Sequence, residues 1–200
     1  MVKTFSLFLL LATACAAVPK PEAMAPGECV DLIHLEGSID DASQFKADLE
    51  ACHGRPVVVE INSPGGSVFD ALEMQKAIER HGAPVICVVD GMAASAAFVT
   101  LQSCTTRAMT NRSILMAHHA SLGGVSGQSQ DMENARAVLV AIDKALVAFC
   151  AKRMGMPLAD FEARVSGGKE WWMAFDDALS SRAIDFEMTV AEALDLIHSK

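Results

Sequence analysis

Apolar residues along the chain form two kinds of pattern. Short unbroken runs are typical of buried strands, and longer stretches with apolar residues every three or four positions are typical of covering helices. Runs that predict strands lie at 30–35, ended by Gly37, and at 57–61, 84–89, 107–109 and 114–117. Helical spacing covers 41–52, 68–78, 131–154 and 176–182, and the small residues of 92–101 also predict a buried helix. We therefore expect an α/β domain with a mainly parallel sheet.

The first residues have a composition of their own. Lys3 precedes an apolar run, 5–12, that is far shorter than the roughly 20 residues needed to span a bilayer. We interpret 1–17 as a secretory signal peptide, 18–28 as a proline-containing linker and 29–200 as one domain. Cleavage before Cys15, with lipidation of that cysteine, is an alternative, and a buried N-terminal helix is another.

Charge and cysteine content narrow the classes of partner. The formal net charge of −9 leaves no basic patch for phosphates, so we expect neither a nucleic-acid partner nor an anionic membrane surface. Five cysteines follow Cys15, an odd number, and export would let disulfides persist. We favour pairing of Cys29 with Cys52. The cysteines show no metal-ligand spacing, and we predict neither a metal nor a cofactor.

Two turns between a strand and a helix carry candidate chemistry. The first is Ile-Asn-Ser-Pro-Gly-Gly-Ser at 61–67, whose adjacent glycines permit close approach of a substrate to bare N–H groups. The second is Gly-Met-Ala-Ala-Ser-Ala-Ala at 91–97. There Ser95 and the N–H of Ala96 would supply a nucleophile and an oxyanion donor from one turn. A simple helix cap by Ser95 is the alternative.

A serine hydroxyl needs a base that accepts its proton, and histidine has a suitable pKa. His118 and His119 follow the predicted strand 114–117. Either histidine could instead make ordinary hydrogen bonds at a strand end. A third group, usually a carboxylate, should orient the base.

In their order, the segments 61–66, 91–95 and 116–118 resemble the three signature segments of the Clp protease proteolytic subunit, over about 30–186. The resemblance implies the Clp protease/crotonase-like fold, a repeated β-β-α spiral with a long handle helix that follows Gly123-Gly124-x-x-Gly127-Gln128. It implies Ser95 as nucleophile and the N–H groups of Gly66 and Ala96 as the oxyanion hole. It favours His118 as base, with His119 as the alternative.

The third catalytic member is where the sequence departs from that family. The family's aspartate lies 15 residues before a second aspartate, and counting back from Asp185 reaches Glu170. Asp176 and Asp177 are alternatives, although both are more typical of helix N-terminal charge. We expect Trp171 and Trp172 to pack in the core or against another subunit.

These observations predict an exported serine peptidase that acts on peptides or unfolded proteins without an ATPase partner, and that forms homo-oligomers. A catalytically inactive peptide-binding module is the main alternative. A crotonase-type acyl-CoA enzyme would share the fold and the oxyanion hole, but it would need a cytoplasmic cofactor.

Overall fold

The computed structural model describes residues 29–121 and 126–199. The predicted signal peptide and linker, and Gly123 and Gly124 of the predicted loop, lie outside the described residues. The strands within these ranges are β1 Leu32–Ile39, β2 Val57–Gly66, β3 Val85–Ala94, β4 Thr106–Met109, β5 Ile114–Ala117, β6 Trp171–Met173 and β7 Phe186–Glu187. The helices are α1 Ser43–Ala51, α2 Val68–Arg80, α3 Ala96–Ser103, α4 Ser129–Arg153, α5 Leu158–Val165, α6 Phe175–Ser180 and α7 Val190–His198. No helix of the described ranges is long and apolar enough to cross a membrane.

The sheet is mainly parallel, as predicted. Its strand order is β1-β2-β3-β4-β7, and β5 pairs with the end of β3 and with β6. Only the β5–β6 pair is antiparallel among the pairs of the described strands. The structure confirms the predicted α/β fold class. The expected long helix is α4, with 25 residues.

The central strands are apolar at consecutive positions because both faces of the sheet are covered. In β2, Val57, Val59 and Ile61 belong to the main core, whereas Val58 belongs to a smaller cluster beneath α7. Successive side chains of a strand point to opposite faces, so a run of valines fills two cores at once. This explains why the strand pattern is unbroken rather than alternating.

Three predicted boundaries were wrong. The strand predicted at 57–61 continues to Gly66. β1 does not end at Gly37 but continues to Ile39, with a register shift between Glu36 and Ser38 that keeps it paired with β2. The predicted helix 92–101 begins only at Ala96, because Met92, Ala93 and Ala94 continue β3 and pair with β5. The strand therefore runs directly to Ser95.

An ion pair links β4 to the residue that precedes β7. Arg107, 6% exposed, donates to both carboxylate oxygens of Asp185 and to Gln102 Oε1. Partial burial alone would raise the pKa of Asp185, but the hydrogen bonds from Arg107 outweigh it and hold that pKa below its ordinary value. This network stabilises the start of β7.

Two disulfides lie within the described residues. One joins Cys29 to Cys52, the pairing that we favoured, and ties the start of the domain to the end of α1. The other joins Cys87 of β3 to Cys104 at the end of α3. Cys150 is free and buried, and burial raises its pKa to about 12. Cys150 is therefore a neutral thiol near neutral pH.

Candidate active site

Ser95 lies at the junction of β3 and α3 in a strained backbone conformation. Its φ of 54° and ψ of −118° are uncommon for a residue with a side chain, and such residues cluster at functional sites. Its N–H donates to the carbonyl of Met116 in β5 at 2.9 Å. Its hydroxyl makes no capping hydrogen bond to α3. The structure therefore does not support the interpretation of Ser95 as a simple helix cap.

His118 follows β5 and meets the serine side chain. The register pairs Ala94 with Met116, so the chains that carry Ser95 and His118 leave the sheet side by side. His118 Nε2 lies 2.7 Å from Ser95 Oγ, which is hydrogen-bond distance for a base that accepts a hydroxyl proton. The sheet register thus brings together the two residues that the sequence placed 23 positions apart.

The glycine turn at the end of β2 packs directly against the serine turn. A Cβ atom on Gly65 would lie 2.6 Å from the carbonyl oxygen of Ala94, 2.8 Å from Ser95 Cβ and 2.9 Å from the nitrogen of Ala96. Gly65 also has a φ of 95°, which disfavours any other residue. A Cβ on Gly66 would meet the backbone of Ile39 at 2.3 Å. The turn therefore requires both glycines, and Gly66 and Ala96 lie on adjoining segments.

Glu170 reaches the neighbourhood of His118, but its carboxylate points elsewhere. The antiparallel pair of β5 and β6 ends with Ala117 opposite Trp171, so the next position of the register would set His118 against Glu170. Glu170 Oε2 instead accepts a hydrogen bond from Trp172 Nε1 at 3.0 Å. Within the described ranges, His118 Nδ1 has no hydrogen-bond partner. Ser95 and His118 thus form a pair that Glu170 does not join in this conformation.

The alternative carboxylates have other surroundings. Asp176 and Asp177 lie in the first turn of α6, where the helix dipole favours negative charge. Of the two tryptophans, Trp171 is half-buried against Phe161, with Arg164 over its ring, as expected for core packing. Trp172 is 45% exposed.

His119 points away from the serine, towards two helices. Its Nδ1 lies 3.7 Å from Asp143 Oδ2 of α4, and its Nε2 lies 3.3 Å from Glu162 Oε1 of α5. Asp143 Oδ1 also accepts the backbone N–H of Ala120 at 2.7 Å. The sequence analysis missed Asp143. The sequence did contain a signal for this residue. Asp143 lies three positions before Leu146 and seven before Cys150, which places a carboxylate on the buried stripe of the long helix.

A mostly apolar cleft opens beside the serine and histidine. It is lined by Ser95, Ala96, His118 and Asp143 and by apolar residues of α2, α3, α4 and α5, among them Phe98, Leu146, Val147 and Phe161. Such a cleft, with a few polar groups at one end, suits an apolar side chain of a ligand next to a reacting group. Among the described residues, no cluster of histidine, cysteine and carboxylate side chains could hold a metal ion.

Known proteins with similar sequences are protease subunits, which agrees with the geometry of the Ser95–His118 site. Residues 37–189 match the family model described as Clp protease. The chain is 32% identical over 162 residues to the ATP-dependent Clp protease proteolytic subunit of Porphyromonas gingivalis, covering 77% of this chain and 72% of that protein. It is 33% identical over 142 residues to the ATP-dependent Clp protease proteolytic subunit 1 of Chlamydia caviae, covering 68% and 73%.

The chain belongs to the Clp protease family. The matched residues begin inside β1 and end just before α7. They contain both turns, His118, Glu170 and the long helix. The resemblance inferred from the three signature segments is thereby confirmed at the level of the family, which is a family of proteases.

Membership of the Clp protease family does not by itself assign catalytic roles to residues. The structure brings together Ser95 and His118 as drawn from the resemblance, and it sets the glycine turn against them. It leaves Glu170 bonded to Trp172, and it places His119 between Asp143 and Glu162.

Proposed function

We propose that this chain hydrolyses peptide bonds through an acyl-enzyme formed on Ser95. The observation that carries the proposal is the 2.7 Å contact between His118 Nε2 and Ser95 Oγ. A hydroxyl that donates to a neutral imidazole can transfer its proton as it attacks a carbonyl carbon. The strained backbone of Ser95 directs that hydroxyl to the histidine instead of the helix end.

The reaction follows from the positions of these groups. Ser95 Oγ attacks the substrate carbonyl, and His118 takes the proton and returns it to the leaving amine. The N–H groups of Gly66 and Ala96 stabilise the negative oxygen that develops, because preorganised donors act strongly in a cleft with little water. Water then attacks the acyl-enzyme with His118 again as base, which restores the serine.

Glu170 is the proposed partner of His118 Nδ1. Its backbone lies at the next position of the β5–β6 register, so rotation of its side chain away from Trp172 would bring the carboxylate towards the imidazole. Catalytic hydrogen bonds are often incomplete before a substrate binds. In this proposal, a bound peptide favours the rotated conformation, which then stabilises the imidazolium ion.

We further propose that the protein is exported and acts without an ATPase. Support for export comes from the Lys3 and apolar-run pattern and from the two disulfides, since disulfides persist in oxidising compartments. An exported chain would meet no ATP, so substrates would be short peptides or unfolded proteins. Lipidation of Cys15 stays a prediction.

Homo-oligomerisation is also proposed, through the long helix. Met132, Val138 and Val140 of α4 are each about half exposed, at 49%, 46% and 56%. Exposed apolar side chains along one helix are typical of protein–protein contacts. Sedimentation of the wild-type protein and of Val138→Asp tests this proposal. We expect an oligomer in the wild type that the substitution weakens, and a monomer in both cases would contradict it.

A second candidate is a peptide-binding module without catalysis. The observation that favours it is the hydrogen bond of Trp172 to Glu170, which leaves His118 without an orienting carboxylate among the residues that the structure describes. The cleft and the glycine turn would still bind an extended peptide. In contrast, the Ser95–His118 contact and the family match favour hydrolysis over acyl-CoA chemistry.

Digestion of an unstructured peptide library without nucleotide separates the two candidates. We expect cleavage by the mature protein, none by Ser95→Ala, and full cleavage by Ser103→Ala, since the Ser103 hydroxyl at the end of α3 donates to a carbonyl of its own helix. Peptides that bind the folded wild-type protein without being cleaved would support the binding module and contradict the peptidase.

A further inference from the structure

The short segment after β5 carries His118 and is attached to the rest of the structure on both sides of that residue. On one side, Ala117 forms the last pair of the β5–β6 ladder. On the other side, Ala120 donates its backbone N–H to Asp143 Oδ1 at 2.7 Å. Residues 118–121 belong to no strand or helix. The position of the His118 ring therefore depends on a side-chain contact with α4 as well as on the sheet.

The same carboxylate also faces His119. Asp143 Oδ2 lies 3.7 Å from His119 Nδ1, and Glu162 Oε1 of α5 lies 3.3 Å from Nε2 of that ring. Among the described residues, the buried Nε2 atom has no hydrogen bond of good geometry. His119 is thus placed between two carboxylates, which favours its packing against α4 and α5. His118 is then the histidine that contacts Ser95.

We propose that Asp143 is a positioning residue that fixes the segment carrying His118 at hydrogen-bond distance from Ser95. The inference rests on the proposed function of Ser95 and His118. It gives the adjacent histidines different tasks: His118 reacts, and His119 together with Ala120 attaches the segment to the long helix.

Geometry separates this role from direct catalysis. Asp143 is only 19% exposed at its side chain, and one of its oxygens is occupied by the Ala120 N–H. It makes no hydrogen bond to His118 within the described part of the chain. Asp143 therefore acts on His118 through the backbone of 118–120. The essential feature is an acceptor for the Ala120 N–H rather than the negative charge itself.

Loss of this acceptor would release one of the two attachments. The Ala120 N–H would be left without a partner in a partly buried place, which costs free energy, so the segment would shift towards water. A displacement of about 1 Å between reacting groups lowers rates by about 10²-fold. The glycine turn would be unchanged, and the cleft would lose only the Asp143 carboxylate from its lining.

The variants that test this are Asp143→Ala and Asp143→Leu, which remove the acceptor, and Asp143→Asn, which keeps an amide oxygen for the Ala120 N–H. Glu133→Ala is the control, because Glu133 is an exposed acid of the same helix. We expect fluorophosphonate labelling of Ser95 to fall about 10- to 100-fold in the first two variants. It should stay within about threefold of wild type in Asp143→Asn and Glu133→Ala.

Nitrogen-15 NMR of the His118 ring gives a second readout that needs no reaction. In the wild type, Nε2 should show the shift of an acceptor bonded to Ser95, with His118→Ala used for assignment. That signature should disappear in Asp143→Leu and return in Asp143→Asn. A folded wild type that shows the signature but does not label would refute the proposed peptidase and still test the positioning role.

Two results would overturn the inference. One is a wild-type labelling rate and an unchanged His118 signal in folded Asp143→Ala or Asp143→Leu. The other is an equal loss in Asp143→Asn, since the backbone contact would then not be the cause. Thermal unfolding of each variant shows whether a lower rate arises from a smaller folded fraction.

Discussion

Substitution of Gly65 by alanine should abolish the proposed nucleophilic reactivity of Ser95 without unfolding the protein. The added Cβ would lie 2.6 Å from the Ala94 carbonyl oxygen and 2.8 Å from Ser95 Cβ. Because non-bonded carbon atoms prefer separations of about 3.5–4.0 Å, the serine turn must retreat by about 0.7–1.2 Å to relieve the contact with Ser95 Cβ. A shift of that size between Ser95 and His118 should lower the labelling and cleavage rates by about 10²-fold.

Gly54→Ala is the matched control. Gly54 also has a positive φ, 80° against 95° for Gly65, but a Cβ there would meet no atom within 4 Å. Both variants should therefore lose about 1–2 kcal/mol of unfolding free energy from backbone strain. Only Gly65→Ala carries the additional overlap with the serine turn.

The assay is fluorophosphonate labelling alongside urea unfolding of wild type and both variants. We expect Gly54→Ala to be less stable and fully reactive, and Gly65→Ala to be folded and nearly unreactive. Equal labelling rates in folded Gly65→Ala and wild type would refute the argument that Gly65 fixes the serine turn. A comparable loss of labelling in folded Gly54→Ala would refute the assignment of the loss to that contact.

Three further predictions concern the surroundings of the site. Asp185→Asn should lower the unfolding free energy by about 3 kcal/mol at pH 7, because it leaves the buried Arg107 without its only carboxylate partner among the described residues. Since folding lowers the pKa of Asp185, the difference from wild type should shrink in denaturation curves as the pH falls below about 4. Cys150 should resist iodoacetamide at pH 8 in the folded protein and react only after unfolding without reductant, which peptide mass spectrometry would show; rapid native alkylation would contradict its burial. Glu170→Gln should lower peptide cleavage at least about tenfold, while Trp172→Phe, which frees the carboxylate, should not; an unaffected Glu170→Gln would exclude Glu170 as the partner of His118.

The sequence predicted the parts of the fold that depend on local pattern. The unbroken β-branched run at 57–61 and the helical stripe at 131–154 are strong local patterns, and β2 and α4 are found there. In contrast, β6 and β7 have three and two residues, too few for periodicity to show. They form because β5 provides backbone hydrogen-bond partners for β6, and β4 provides them for β7.

The boundary before Ser95 shows why composition can mislead. Ala93 and Ala94 are good helix formers, yet they continue β3 because residues of β5 that lie 22 positions further along the chain pair with them. Only this non-local pairing gives Ser95 its strained backbone. The order of motifs predicted which segments meet, but not the backbone conformation at their junction.

Side-chain orientation was the other limit. Counting positions led to Glu170, and the register does bring its backbone next to His118, but the exposed indole of Trp172 competes for the carboxylate. The role inferred for Asp143 needed the observed contact with Ala120, because a carboxylate on a helical stripe does not indicate which backbone N–H it meets. The disulfide of Cys87 with Cys104 likewise depends on how α3 returns along β3.

Active-site labelling of the mature protein tests the central claim, that His118 activates Ser95. The measurement is the rate of fluorophosphonate labelling in wild type, Ser95→Ala, His118→Ala and the control His34→Ala, whose histidine lies on the exposed side of β1 and pairs with Glu60. We predict labelling at Ser95 that is absent in Ser95→Ala, lower by about 10³-fold or more in His118→Ala, and unchanged in the control. Labelling of folded wild type no greater than that of Ser95→Ala, or labelling unaffected by His118→Ala, would contradict the account.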